Sequence, residues 1–172
     1  MYFSKIKYTG AYVPENIVKN SDLEKLVDTD DEWIRSRTGI EQRHITMGDN
    51  TSDLASKTAW NIINKGGLDP LDIDLIIVAT VSPDCMSPST ACTVQDSLGA
   101  VNAVAFDISA ACSGFVFALS VADKFIKAGT YKNAIVIGAE VISKHINWAD
   151  RSTCVLFGDG AAGVYIERSE KP

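Results

Sequence analysis

The sequence is poor in the features that mark several common classes of protein. It has only two histidines, His44 and His145, and four cysteines with no Cys-x-x-Cys pair, so the usual patterns of a zinc site or a disulfide-rich secreted domain are missing. No stretch is apolar for long enough to act as a signal peptide or to cross a membrane. We therefore predict a cytoplasmic protein with no bound metal and no membrane partner.

An excess of positive charge is also lacking. Lysine and arginine number 16 against 22 aspartates and glutamates, a formal net charge of −6, whereas a nucleic-acid-binding protein needs a broad basic surface. The main local exception is the segment from Arg35 to His44. With 46% hydrophobic and 22% charged residues, the chain can bury a substantial core. We expect one globular domain that does not bind nucleic acid.

Apolar periodicity predicts alternating strands and helices. A strand is expected from Lys5 to Val13, followed by two short helices whose capping boxes begin at Ser21 and Thr29. Further strands are predicted at 75–81, 104–108 and 134–137, and further helices at 51–65 and 113–127. This alternation is typical of an α/β fold with a mixed, largely parallel sheet layered between helices.

Cys112 lies where the strand at 104–108 gives way to the helix at 113–127. The small residues Ala110 and Ala111 allow a sharp turn there, and the amides and dipole of a helix start favour a thiolate, the nucleophilic form. We expect Gly114 to let a substrate approach the backbone and the stretch from Phe115 to Leu119 to be buried behind the thiol. Position alone favours the alternative that Cys112 is only a small buried residue at a tight junction.

Motif context favours the catalytic interpretation. The segment Ala105–Phe115, Ala-Phe-Asp-Ile-Ser-Ala-Ala-Cys-Ser-Gly-Phe, resembles the active-site segment of the β-ketoacyl-acyl-carrier-protein synthase III family in the thiolase superfamily. The resemblance covers nearly the whole chain, from Lys5 to Ile166, in four ordered motifs. It implies a thiolase-like fold, of which this chain is the amino-terminal α-β-α half, with Cys112 as the acyl-carrying nucleophile.

A second motif resembles the family's coenzyme A contacts. It comprises Thr29–Ile34 followed by Arg37-Thr-Gly-Ile, and the resemblance assigns Thr29, Trp33 and Arg37 to coenzyme A, with Arg151 as a further contact. Trp33 can stack on adenine, and the two arginines can neutralise phosphates. The alternative for Trp33 is a core residue on a helix face. A last motif, Phe157–Ala162, resembles the glycine-rich turn that closes this half, and we expect Asp159 to be structural.

The resemblance also implies residues that this chain lacks. The family's catalytic histidine and asparagine come from the carboxy-terminal half, and neither His44 nor His145 matches the histidine's segment. We expect that half to be further sequence of the same polypeptide, a second polypeptide after cleavage, or a deleted portion. A lone half exposes apolar surface, and we expect the 172-residue chain by itself to lack condensation activity.

Two departures from the family pattern bear on substrate and partner. Ser87 stands before Pro88 where the family often has a bulky aromatic that reaches the partner subunit's acyl pocket, so we expect tolerance of longer or branched primers. Glu41 replaces an arginine of some members and reduces the positive charge of Arg35, Arg37 and Arg43, which weakens the expectation that the acidic carrier protein docks there.

The resemblance implies an initiating condensing enzyme of fatty-acid biosynthesis. The enzyme would be a homodimer that uses acyl-coenzyme A as substrate, acyl-carrier protein as partner and no permanently bound cofactor. Two alternatives share the fold: an acyltransferase or specialised ketosynthase of secondary metabolism, and a non-catalytic subunit that supports a partner. A redox-sensing Cys112 is a further possibility, but no resolving cysteine is evident in the sequence.

Overall fold

Strands and helices alternate along the chain, whose residues 2–171 the structure, a computed structural model, describes. The strands are β1 (Phe3–Tyr12), β2 (Ile17–Lys19), β3 (Gln42–His44), β4 (Leu75–Ala79), β5 (Val104–Ile108), β6 (Asn133–Val141) and β7 (Asp159–Ser169). The α-helices are α1 (Asn20–Leu23), α2 (Asp31–Thr38), α3 (Thr51–Gly66), α4 (Thr90–Leu98), α5 (Gly114–Lys127) and α6 (Arg151–Cys154). Short 3-10 helices span Pro70–Asp72, Ala111–Ser113 and Ile142–Lys144.

Five of the strands form one sheet in the order β1-β7-β6-β4-β5. Strand β4 pairs in parallel with both β5 and β6, whereas β1 pairs antiparallel with β7. The remaining strands, β2 and β3, form a separate antiparallel ribbon. The predicted α/β class with a mixed sheet is confirmed.

The chain divides into two compact units. The first consists of residues 2–12, 50–140 and 161–171 and holds nearly all of the five-stranded sheet with α3, α4 and α5. The second consists of residues 13–49 and 141–160 and holds the β2–β3 ribbon with α1, α2 and α6. Each unit has its own apolar core.

Burial explains why the first unit forms these elements. Strand β4 is buried at every position, as its continuous apolar run predicts for a strand covered on both faces. Leu75 and Ile77 pack against Ala118, Ala122 and Ile126, which recur at helical spacing along one side of α5. Among residues 2–171 no helix is both long and apolar enough to cross a membrane.

Several sequence predictions of local structure need correction. Strand β1 ends at Tyr12 rather than Val13, and β6 extends to Val141, four residues beyond the predicted end. Helix α1 begins at Asn20 rather than after Ser21, and the Asp22 carboxylate accepts the Lys19 amide at 3.1 Å. Helix α2 is capped by Asp30, which accepts the Trp33 amide at 2.6 Å, and not by Thr29. Strand β4 ends at Ala79, two residues before the predicted end: the Thr80 amide still binds the Ile108 carbonyl, but the Val81 amide binds the Glu140 side chain instead of a strand.

The sequence prediction missed the short elements β2, β3 and α6 and two longer ones, α4 and β7. Helix α4 has a clear start and stop, because Ser89 accepts the Cys92 amide at 3.2 Å and Gly99 ends the helix with a positive φ of 68°. Strand β7 runs through Val164-Tyr165-Ile166, a run typical of a strand, but the glycines before it indicated only a turn.

Candidate active site

Cys112 lies in the turn that joins β5 to α5, here called the Cys112 turn (residues 109–114). The backbone passes from the end of β5 at Ile108 into a single 3-10 turn, Ala111–Ser113, before α5 begins at Gly114. The thiol-bearing residue is exposed and forms no disulfide. The alternative that Cys112 is a buried packing residue is therefore wrong.

Ala111 has a backbone conformation that few residues other than glycine adopt. Its φ is +46°, which places it in the left-handed region, and the cost for a residue with a Cβ is about 1–2 kcal/mol. Ala110, by contrast, has a φ of −150°. The strain sits at the residue directly before Cys112, where it turns the chain sharply and leaves the next side chain exposed.

Gly114 has a packing role that differs from the prediction. It is buried, and a Cβ there would lie 3.2 Å from the Cβ of Ala79 on β4. The absence of a side chain lets the first turn of α5 approach the sheet closely. The structure therefore explains this glycine by contact between helix and strand, not by approach of a substrate.

The stretch from Phe115 to Leu119 was predicted to be buried, but most of it is not. Only Ala118 is fully buried, whereas Val116 is 61% and Phe117 52% exposed. Helical geometry explains this, because one side of α5 packs on the sheet and the residues between those positions point away from it. The first unit thus presents apolar side chains on α5.

In the second unit, Trp33, Arg37 and Arg151 come together. The guanidinium carbon of Arg37 lies 4.6 Å from the centroid of the Trp33 ring, and that of Arg151 lies 4.5 Å from the same centroid. Both contacts are cation–π interactions, worth about 0.5–1 kcal/mol each at exposed sites. Residues separated by well over a hundred positions therefore form one cluster of an aromatic ring and two cations.

Thr29 contributes a hydroxyl oxygen that lacks a hydrogen-bond partner. This oxygen is shielded from solvent and has no partner among residues 2–171. The preceding residue, Asp28, accepts a hydrogen bond at its carbonyl from Nη1 of Arg151 at 2.7 Å. An unpaired buried hydroxyl is uncommon in folded proteins, and it makes Thr29 a candidate ligand contact.

Asp150 fixes the start of the helix that carries Arg151. Its carboxylate accepts the Ser152 amide at 2.9 Å and the hydroxyls of Ser152 and Thr153, and these bonds hold the pKa of Asp150 below its usual value. Capping by an aspartate is the expected way to satisfy amides at a helix start. The adjacent Arg151 is thereby held at the first position of α6.

Trp33 also packs against the core of its unit. It is half-buried against the cluster formed by Leu23, Ile34, Cys154 and Val155. The core interpretation of Trp33 is therefore correct for part of the ring, while the two guanidinium groups cover another part.

Arg43 does not belong to an exposed basic patch. It is only 5% exposed, and its Nη2 donates to Asn20 Oδ1 at 2.9 Å and to the Val155 carbonyl at 3.0 Å. Burial lowers the pKa of its guanidinium group. Arg35 forms an ion pair with Glu41 at 2.9 Å. Arg37 and Arg151 are exposed and lie on the ring of Trp33.

Asp159 is part of a buried network that holds the second unit together. Its Oδ2 accepts the Thr46 amide at 2.8 Å and the Ser143 hydroxyl at 2.7 Å, and its Oδ1 accepts the Ser143 amide at 2.9 Å. Asp159 is the first residue of β7 rather than part of a turn. These contacts explain Asp159 as a structural residue.

Ser87 lies in the first unit, on the connection between β4 and α4. Residues 85–88 of this connection are exposed, and the Ser87–Pro88 peptide bond is cis. The histidines lie in the second unit: Nδ1 of His44 is 2.6 Å from the Pro14 carbonyl, and His145 is exposed. Residues 2–171 contain no group of three or more side chains suited to hold a metal ion.

Known proteins show the same fold and sequence pattern. Residues 106–172 match the model of the 3-oxoacyl-(acyl-carrier-protein) synthase III family. The β-ketoacyl-(acyl-carrier-protein) synthase III of Lactococcus lactis subsp. cremoris strain MG1363 is 63% identical over 169 residues, which are 98% of this chain and 52% of that protein. The chain spans about half the length of the curated relatives it matches.

Solved structures agree. The 3-oxoacyl-(acyl-carrier-protein) synthase III of Aquifex aeolicus VF5 has a TM-score of 0.95 at 53% identity, over 98% of this chain and 55% of that one. The priming β-ketosynthase of the R1128 polyketide pathway has a TM-score of 0.95 at 34% identity, over 99% and 51%.

These similarities identify the fold as the amino-terminal half of a thiolase-like fold. Within that class, the chain corresponds along nearly its whole length to the amino-terminal half of β-ketoacyl-acyl-carrier-protein synthase III. The resemblance carried by the four sequence motifs is confirmed.

Proposed function

We propose that this chain is the cysteine-bearing half of an initiating condensing enzyme of fatty-acid biosynthesis. The enzyme joins an acyl-coenzyme A primer to malonyl-acyl-carrier protein in two steps, through an acyl-Cys112 intermediate. The observation that carries the proposal is the exposed Cys112, held by the strained residue Ala111 at a junction between a strand and a helix. The similarity to synthase III proteins over 98% of the chain supports the same reaction.

In the first step the thiolate of Cys112 attacks the carbonyl carbon of the acyl-coenzyme A thioester. A carbon–sulfur bond to Cys112 forms, the bond to the coenzyme A sulfur breaks, and coenzyme A leaves as its thiolate, which takes up a proton. The resemblance implies that the Cys112 amide donates one of the hydrogen bonds to the oxyanion of the tetrahedral intermediate.

Coenzyme A is held, in this proposal, by Thr29, Trp33, Arg37 and Arg151. The Trp33 ring offers a face for adenine, and the guanidinium groups that now lie on that ring offer positive charge to the phosphates. An adenine that stacks on the ring competes with a guanidinium for it. The resemblance assigns Thr29 to the ligand, and its hydroxyl oxygen has no competing hydrogen-bond partner among residues 2–171.

In the second step malonyl-acyl-carrier protein loses carbon dioxide. The electron pair of the broken carbon–carbon bond attacks the acyl-Cys112 thioester, and Cys112 leaves as a thiolate, ready for another cycle. The resemblance assigns the histidine and asparagine that promote this step to the carboxy-terminal half. Carrier protein, a homodimeric assembly and a cytoplasmic setting, where exposed thiols stay reduced, belong to the same proposal.

Ser87 is the proposed determinant of primer size. It replaces a bulky aromatic of many family members in an exposed segment, and a smaller side chain leaves more volume for the acyl group. We propose that primers longer or more branched than acetyl are accepted. Acyl-coenzyme A is a substrate in this scheme, and no permanently bound cofactor is required.

A specialised ketosynthase or acyltransferase is the second candidate. It is favoured by the structural likeness to the priming ketosynthase of a polyketide pathway at 34% identity. Both functions acylate Cys112, and they differ in the acceptor. A non-catalytic subunit is the third candidate, and the exposed cysteine and the cluster around Trp33 argue against it.

The test asks, in the full-length protein, which acceptor receives the acyl group from Cys112. Acyl-coenzyme A and malonyl-acyl-carrier protein labelled in its free carboxylate are supplied, and released carbon dioxide and ketoacyl product are measured. We expect one carbon dioxide for each ketoacyl chain in the parent, and no ketoacyl chain with Cys112→Ala. Acylation without carbon dioxide release, with transfer to an alcohol or amine instead, would identify the second candidate.

A further inference from the structure

Residues 80–89 connect β4 to α4 and carry Ser87. The middle of this connection is open to solvent, since residues 85–88 are exposed and Met86 is fully exposed. Both ends are nevertheless anchored by carboxylates on β5 and β6, the two strands that flank β4 in the sheet.

Glu140 on β6 anchors the first end. Its Oε1 accepts the Val81 amide at 2.9 Å, and its Oε2 accepts the Ser82 amide at 3.1 Å and the Thr80 hydroxyl at 3.2 Å. The Ser82 hydroxyl donates to the same oxygen. Four hydrogen bonds to one carboxylate fix the three residues that follow β4.

Asp107 on β5 anchors the second end. Its Oδ2 accepts the Thr90 amide at 2.8 Å, and its Oδ1 accepts the Ala91 amide at 2.7 Å. These are the first two amides of α4, which begins directly after the exposed segment. The strand that carries Asp107 ends at Ile108 and leads directly into the Cys112 turn, and Cys112 itself lies five residues after Asp107.

We propose that Asp107 and Glu140 are positioning residues that fix the Ser87 segment, which the resemblance assigns to the partner subunit's acyl pocket, and so set which acyl primers the cysteine of that pocket accepts. The inference rests on the function proposed above. An amide in place of either carboxylate presents a donor to backbone donors, so at least one hydrogen bond at that end is lost. The segment then moves more freely, and discrimination between primers of different shape decreases.

The test compares Asp107→Asn and Glu140→Gln with Asp74→Asn in the full-length protein. Asp74 is the matched control because its Oδ2 also accepts two backbone amides, those of Lys132 at 2.6 Å and Asn133 at 3.3 Å, but at the opposite end of β4. The readout is the ratio of Cys112 acylation rates with acetyl-coenzyme A and isobutyryl-coenzyme A. We expect the ratio to change about tenfold in the two test variants and to stay constant in the control.

Hydrogen exchange gives a second readout that does not need acylation. The amides of residues 85–91 should exchange faster in Asp107→Asn than in the parent or in Asp74→Asn. If Asp107→Asn fails to fold, Glu140→Gln must by itself shift the ratio and speed exchange at residues 80–87.

If the parent acylates Cys112 but Asp107→Asn and Glu140→Gln keep the parent's ratio of acylation rates, this inference is wrong and the proposed function stands. The same holds if Asp74→Asn changes the ratio as much as the two test variants do. A parent that acylates Cys112 with neither primer overturns the proposed function and this inference with it.

Discussion

The guanidinium group of Arg151 lies on the ring of Trp33, with 4.5 Å between the guanidinium carbon and the ring centroid. Arg151 opens α6 and Trp33 lies in the first turns of α2, and a bond from Arg151 to the Asp28 carbonyl holds the arginine beside the ring. The contact joins a flat aromatic surface to a flat cation, an arrangement suited to a nucleotide.

Replacement of Arg151 by lysine tests the coenzyme A site. Lysine keeps the charge but loses the planar group, so we expect KM for acyl-coenzyme A to rise about tenfold while the rate of condensation from preformed acyl-enzyme stays unchanged. Arg35→Lys is the control, because Arg35 lies on the same helix as Trp33 but pairs with Glu41. Equal KM values in Arg151→Lys and the parent would contradict the assignment.

Ser87→Phe tests the role of side-chain volume in primer choice. We expect acylation by branched primers to fall about tenfold relative to acetyl-coenzyme A, since the larger ring fills the space left by serine. Met86→Phe is a suitable control, because it adds an aromatic ring at the neighbouring exposed position. A parent protein that already favours acetyl-coenzyme A over all longer chains would count against the role of Ser87.

Ala111→Gly tests the strain in the Cys112 turn. Glycine adopts a φ of +46° at little cost, which offsets the entropy that glycine adds to the unfolded chain, whereas Ala128→Gly, at an exposed alanine with ordinary helical φ and ψ, brings only the entropic loss. We expect the free energy of unfolding of Ala111→Gly to exceed that of Ala128→Gly by on the order of 1 kcal/mol. Urea unfolding of the two full-length variants measures the difference, and a less stable Ala111→Gly would show that Ala111 is unstrained.

Ionisation of Tyr165 on β7 is expected to lower the free energy of unfolding in alkaline solution. Burial, and secondarily the charge of Glu167, raise the pKa of Tyr165 to about 12, so its neutral form is favoured in the folded state. A raised folded pKa stabilises the fold fully below pH 10 and progressively less between pH 10 and about 12. The free energy of unfolding should therefore fall less steeply in Tyr165→Phe than in the parent over that range. Identical slopes would contradict the shift.

Much of this fold is predictable from local sequence patterns. The continuous apolar run of β4 and the helical spacing along α5 indicate buried elements, because side-chain burial follows backbone periodicity. Cys112 is predictable for the same reason, since the end of one pattern and the start of the next locate the turn. The caps of α1 and α2 were less predictable, because neighbouring Ser, Thr and Asp residues compete for the same position.

The remaining features depend on contacts between distant residues. The sequence gives no sign that Arg43 is buried, because its partners are carbonyls contributed by separate segments. The anchoring of residues 80–91 by Asp107 and Glu140 likewise joins positions up to 60 residues apart. Helix α4 could have been found from Ser89, Gly99 and the apolar residues between them, and β7 from its β-branched and aromatic run.

The most direct test of the account is whether Cys112 carries the acyl group. The full-length protein is incubated with radiolabelled acyl-coenzyme A without carrier protein, and the labelled residue is located by peptide mass spectrometry. Cys112→Ala is compared with Cys85→Ala, which removes another exposed free thiol. We predict one acyl group per chain on Cys112 in the parent and in Cys85→Ala, and none in Cys112→Ala; label that persists without Cys112, or never forms, would contradict the proposal.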